Sequence, residues 1–134
     1  MRVDTRLVAA ILLCQPLSSV WAASHTVLVG QNNLGQSALA FNPSSLTINA
    51  GDTVTFTNAG GFHNVDSTSG PTTFKCSVNC TTNNTPNSSA WSQTVTFPTP
   101  GTVTYQCDQH AGSGMVGSIT VNALPVRLQS FDVD

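Results

Sequence analysis

The chain predicts an all-β fold, an antiparallel Greek-key β-sandwich of seven to eight short strands. Three observations predict it. Helical periodicity is nearly absent, while β-branched and aromatic runs recur between Gly, Pro and Asn punctuation. Charged residues make up only 7% of the chain, and Thr, Ser, Asn and Gly take their place, a composition that fits pleated half-buried surface better than helix. A length of 134 residues fits one domain.

The elements follow in order. Residues 25–29 read as the first strand. Residues 39–41 and 46–48 flank Pro43, which ends a strand or bends it at a sheet edge. Ala50-Gly51-Asp52 is a turn, and residues 53–57 alternate strictly, as a half-buried strand does. Ala59-Gly60-Gly61 turns the chain toward His63. Residues 67–90 are rich in Ser, Thr, Asn and Pro, and are too long for a bare connection unless stapled or functional. Residues 91–97 form a strand, Pro98 to Gly101 a turn, and residues 102–106 and 116–121 two further strands, antiparallel neighbours.

The N-terminus has a different character. Arg2 and Arg6 precede an apolar run over residues 7–13, and small residues follow at Ser18, Ser19, Ala22 and Ala23. This is the layout of a secretory signal peptide. The expected organisation is a signal peptide over 1–22, a domain over 23–122 and a tail over 123–134. The tail adds an edge strand or serves as a sorting or junction segment. The apolar run is too short to span a bilayer, and no other stretch approaches that length. The protein is therefore expected to be exported, periplasmic or extracellular, with no membrane span. Cys14 either leaves with the leader or is a lipid-attachment site.

Beyond the leader, Lys75 and Arg127 stand against Asp52, Asp66, Asp108, Asp132 and Asp134. No basic patch exists for phosphates, so nucleic acid is not an expected partner. Three cysteines remain, Cys76, Cys80 and Cys107. In an oxidising compartment two would pair and one would be left over. Cys76 and Cys80 can form a small loop disulfide if a turn brings their Cα atoms into range. A Cu(I) thiolate pair or two free thiols are the other states. Cys107 is the odd thiol, and it would oxidise unless something occupied it.

Cys107, His110 and Met115 fall within one turn-rich stretch, and His63 offers a second imidazole. A thiolate, two imidazoles and a weak thioether are the donors of a trigonal His₂Cys copper site with an axial methionine. Each residue alone has a plainer reading: a buried cysteine is commonly a small hydrophobe, and a methionine in a glycine-rich loop is commonly packing. Together, at this spacing, the four point to one copper ion with every position filled by protein. That leaves no open place for a substrate. No nucleophile–base pair, paired carboxylates or phosphate loop is present, so the protein is not expected to be an enzyme. His25 reads as a solvated residue near the new N-terminus.

At this point the chain resembles a known family. Phe41-Asn42-Pro43 ahead of residues 46–56, then Phe62-His63-Asn64-Val65, then residues 100–107 leading into Cys-x₂-His-x₄-Met and Val116-Gly117, are similar to the cupredoxins. The chain looks like the plastocyanin-like small blue copper proteins in particular, and the resemblance covers about residues 25–122. It implies a cupredoxin-like sandwich with His63 and His110 as imidazole ligands, Cys107 as thiolate and Met115 as axial ligand. Asn64 resembles the residue that ties the two ligand loops together. The implied function is a monomeric shuttle of single electrons between transient redox protein partners through a type 1 Cu(I)/Cu(II) centre. Electrons would leave by the exposed edge of His110, with Leu34, Gly35, Phe62, Ala111 and Gly112 as candidate docking residues. A periplasmic copper carrier or buffer with the same ligands is the alternative, and a metal-free interaction module a third reading. Asp108-Gln109 departs from the family pattern. An anionic Asp108 pointing inward would favour Cu(II) and lower the reduction potential.

Overall fold

The computed structural model describes residues 19–81 and 84–125. Most of the signal-peptide reading, with Cys14, and the tail beyond residue 125 lie outside the described residues. Nine strands follow in chain order: β1 (Ser24–Gln31), β2 (Ser37–Asn42), β3 (Ser45–Asn49), β4 (Thr53–Asn58), β5 (Val65–Ser69), β6 (Lys75–Cys76), β7 (Ser92–Thr96), β8 (Gly101–Gln106) and β9 (Val116–Asn122). They form two sheets, ordered β2-β1-β4-β7 and β3-β9-β8-β5-β6.

The period-2 pattern decides which face is buried. In β4, Val54 and Phe56 are fully buried while Thr53, Thr55 and Thr57 face outward. Thr55 and Thr57 pair across the sheet surface with Thr94 and Ser92 through hydroxyl hydrogen bonds of 2.8 and 2.9 Å. Val103 and Tyr105 of β8 and Ile119 and Val121 of β9 supply the facing layer. At its centre the Tyr105 ring meets Phe41 edge-on at 4.8 Å and Phe56 at 5.3 Å. Such pairs contribute about 0.5–1.5 kcal/mol beyond their buried area. Gly117, paired with Tyr105 across β8 and β9, leaves the space its ring fills; a Cβ there would collide with the phenol.

The sandwich agrees with the expectation, with two refinements. The strands number nine among the described residues, rather than seven to eight. The added ones are β5, where Val65 is the one fully buried side chain, and the two-residue β6, so neither carries an alternating signal. The sheets are also mixed. β1 runs parallel to β4, and β3 parallel to β9. Those partners are distant in sequence, and side-chain alternation is the same for either pairing direction. The expected β8–β9 pair is antiparallel, from Gly101↔Val121 to Gln106↔Val116.

His25 is not simply solvated. Its Nε2 lies 3.0 Å from Oδ2 of Asp52, whose carboxylate also accepts the N–H groups of Ala23 at 2.8 Å and Asn49 at 3.0 Å. Asp52 thereby pins the start of β1 to the β3–β4 turn. In the irregular stretch, Cys76 and Cys80 form a disulfide with Cα atoms 4.1 Å apart, and Cys107 is a free, buried thiol.

Candidate metal centre

One pole of the sandwich gathers the donors. Cys107 follows the last residue of β8 and is wholly buried. The chain then closes a compact loop before β9. The N–H of His110 donates to the Cys107 carbonyl at 3.1 Å, that of Met115 to the His110 carbonyl at 3.1 Å, and that of Cys107 to the Met115 carbonyl at 3.1 Å. A single 3₁₀ turn, Ala111–Ser113, and Gly114 in the left-handed region at φ 85° complete the reversal. Met115 ends this loop fully buried.

His63 arrives from the β4–β5 connection. Its backbone bridges to Asn87 in both directions, at 3.3 and 3.0 Å, and its carbonyl accepts Trp91 Nε1–H at 3.2 Å. Two glycines make room for its ring. A Cβ on Gly61 would stand 2.5 Å from Nε2, and one on Gly30 2.8 Å from Cδ2. In the space they leave, the ring lies with Nδ1 toward Cys107.

The donor atoms form a tight triangle. Cys107 Sγ lies 3.7 Å from His63 Nδ1 and 3.6 Å from His110 Nδ1, and the two nitrogens are 3.1 Å apart. Metal–nitrogen and metal–sulfur bonds of about 2.0 and 2.3 Å, opened by about 100–120°, place such donors roughly 3.1–3.7 Å apart. The triangle therefore fits one ion bound by all three. Soft sulfur with two imidazoles is a donor set suited to copper. His63 is 3% exposed, and burial first, then the proximity of His110, holds its pKa below the ordinary value. A buried, neutral imidazole keeps its lone pair for a metal.

The two ligand-bearing segments are tied together by Asn64, as the resemblance implies. Its Oδ1 accepts the N–H of Asp108 at 2.9 Å, and its Nδ2 donates to Asp108 Oδ2 at 2.8 Å and to the Asn84 carbonyl at 3.1 Å. The Asp108 carboxylate is turned to this amide and to Lys75, whose Nζ sits 2.7 Å away. Burial works against its charge, but the bonds from Lys75 and Asn64 outweigh it and leave the pKa lowered.

Beside His110, a groove of about 360 Å³ is lined by Ser37, Ala38, Leu39, Gly61, Phe62 and His63. Of the docking residues expected from sequence, Phe62 lines it; Leu34 is exposed but lies outside it. Leu39, expected only as a strand residue, is one of the unforeseen members and is 47% exposed. Gly30, Gly61, Asn87, Trp91 and Lys75 also went unrecognised as parts of the site. Only the glycine pair at Gly60-Gly61, next to His63, carried a local signal.

A β-sandwich with two imidazoles and a thiol converging at one pole, and a buried methionine closing the same loop, is the framework of a small cupredoxin-type copper protein. The comparisons agree. Residues 28–122 match the copper binding proteins of the plastocyanin/azurin family. A chloroplastic plastocyanin of Oryza sativa subsp. indica is 38% identical over 104 residues, spanning 75% of this chain and 65% of that protein. The match thus spans just under two thirds of the length of the first curated relatives. Among solved structures, oxidised plastocyanin from Dryopteris crassirhizoma superposes with a TM-score of 0.54 at 30% identity, covering 72% of this chain and 99% of that one. A pseudoazurin from Sinorhizobium meliltoi gives 0.53 at 29% identity, covering 75% and 74%. The chain belongs to the copper-binding plastocyanin/azurin family, and its cofactor is copper.

Proposed function

We propose that this protein is a one-electron carrier with a type 1 centre in which His63, His110 and Cys107 are the strong ligands and Met115 the weak axial one. The observation that carries the reading is the buried triangle of two Nδ1 atoms and one Sγ. Bound copper supplies a Cu(II)/Cu(I) couple that changes by one electron. The protein's part is to hold the donors still. Cys107 and His63 are shut from solvent, and Asn64 fixes one ligand segment to the other. Four protein donors leave no position for a substrate, which favours outer-sphere transfer over catalysis.

His110 is the only one of the three triangle residues that is partly exposed. Its edge and the adjoining groove form the exit for the electron, and transient redox proteins dock there through a small contact with the monomer. The exported location, periplasmic or extracellular, is supported by the leader pattern and the Cys76–Cys80 disulfide. Among the described residues no helix is long and apolar enough to cross a membrane. The functional domain occupies 23–122, the leader 1–22 and the tail 123–134; β1 starting at Ser24 and β9 ending at Asn122 support those limits.

Adding Cu(II) to the purified protein should produce an intense thiolate-to-copper charge-transfer band that Cys107→Ser abolishes. Voltammetry should then cycle reversibly with a chelator present. Surrender of the metal to the chelator on each reduction would favour the copper carrier instead.

A further inference from the structure

Lys75 is the only lysine in the chain. It sits opposite Asp66 across the short β5–β6 pair, next to disulfide-bonded Cys76. From there Nζ reaches two carboxylates, Asp66 Oδ2 at 3.0 Å and Asp108 Oδ2 at 2.7 Å. Asp108 is bonded in sequence to Cys107 and anchored at both ends by Asn64. The ammonium is thus held on the one carboxylate that adjoins the thiol, by a strand that the disulfide staples in place.

We propose that Lys75 is a positioning residue that sets the reduction potential of the copper centre by neutralising Asp108. The reason is electrostatic. An uncompensated anion near the metal stabilises the more highly charged oxidised ion, and partial burial weakens the screening that water would provide. Hydrogen-bonded groups around ligands tune a metal site in this way. Asp66 does not substitute for the effect, because it shares the same ammonium rather than adding a cation. Lys75 therefore offsets the carboxylate adjacent to Cys107, and its cluster with Asp66 and Asp108 keeps one net negative charge rather than two.

The inference rests on the copper reading above. The test compares midpoint potentials of the copper-loaded wild type with those of Lys75→Met, Asp108→Asn and the double variant, each with its visible spectrum. Lys75→Met should keep the charge-transfer band and favour oxidised copper about tenfold, a drop of about 59 mV for one electron. The double variant should return most of the way to wild type, and Lys75→Arg should keep the wild-type potential. Asp108→Asn alone should raise the potential, and it carries the test if Lys75→Met does not fold. An intact band with unmoved potentials in these variants would overturn the proposal and leave Lys75 a purely structural tether. So would a double variant as low as Lys75→Met. Absence of any band in the wild type would instead defeat the copper reading itself.

Discussion

Asn64 and Asp108 are 44 positions apart yet joined at two points, backbone N–H to Oδ1 at 2.9 Å and Nδ2–H to carboxylate at 2.8 Å. Because Asn64 follows His63 and Asp108 follows Cys107, the clasp sets the distance between an imidazole and the thiol. Asn64 is fully buried, so its truncation strands the buried Asn84 carbonyl and removes both part-buried bonds to Asp108. Asn64→Ala should cost about 2–3 kcal/mol of stability. Copper affinity should fall by about 10–100-fold, as it does when outer partners of metal ligands are removed. Urea unfolding of the apoprotein and competition with a copper chelator measure the two effects. Loss of stability with wild-type affinity would mean that the clasp is structural only.

Gly61 makes a second constraint on the same ring. Its φ is +89°, and a Cβ would lie 2.5 Å from His63 Nε2. Alanine there meets both a backbone penalty of about 1–2 kcal/mol and a collision that turns the imidazole. Gly35 has φ +75° with open space around it, so Gly35→Ala carries the backbone penalty alone. Gly61→Ala should destabilise and also alter the visible and paramagnetic-resonance spectra of the copper protein. Gly35→Ala should destabilise without spectral change. Identical spectra for both variants would show that His63 does not depend on Gly61.

The fold was legible in the sequence wherever one face of a strand is apolar. Val54 and Phe56 in β4, and Val103 and Tyr105 in β8, announce both strand and burial. β5 was hidden because its second half is exposed and polar. Three of the expected donors, His63, Cys107 and His110, converge, and they were legible because two share one loop and His63 follows a glycine turn. What supports them was not. Trp91 reaches the His63 carbonyl from 28 positions away, and Gly30 clears the ring from a different strand. Such contacts depend on how sheets stack, which strand periodicity does not encode. The same holds for Lys75 and for the partnership of His25 with Asp52. From sequence, Asp108 offered only a charge of unknown direction; its two partners supply the direction.

Asp52 should govern acid stability. The N–H of Asn49 first, then His25 and the N–H of Ala23, hold its carboxyl below the usual carboxylate range. A lowered folded pKa contributes stability that is present above the unfolded value of about 3.9 and is lost as pH falls through the folded value. Asp52→Asn should therefore be about 1.5–3 kcal/mol less stable at pH 7, and should lose less on acidification than the wild type does. Urea midpoints at pH 7 and pH 3 provide the comparison. Parallel acid losses in the two proteins would place the titrating group elsewhere.

The groove beside His110 contains no Lys, Arg, Asp or Glu among its lining residues. Contacts made there gain from apolar burial rather than from steering, so their rates should respond weakly to salt. Electron self-exchange between oxidised and reduced copies provides a test that needs no identified partner, because the same face must meet itself. Its rate is read from nuclear magnetic resonance line broadening in mixtures of the two forms. The wild-type rate should change little with added salt. Leu39→Glu places a carboxylate on a residue that is 47% exposed at the groove, without touching the triangle of donors. It should slow self-exchange by at least about tenfold at low salt, through like-charge repulsion and the cost of drying an ion, and added salt should recover part of the loss. Leu34→Glu, outside the groove lining, should do less. Equal rates for Leu39→Glu and wild type, with unchanged copper spectra, would move the point of electron exit away from this face.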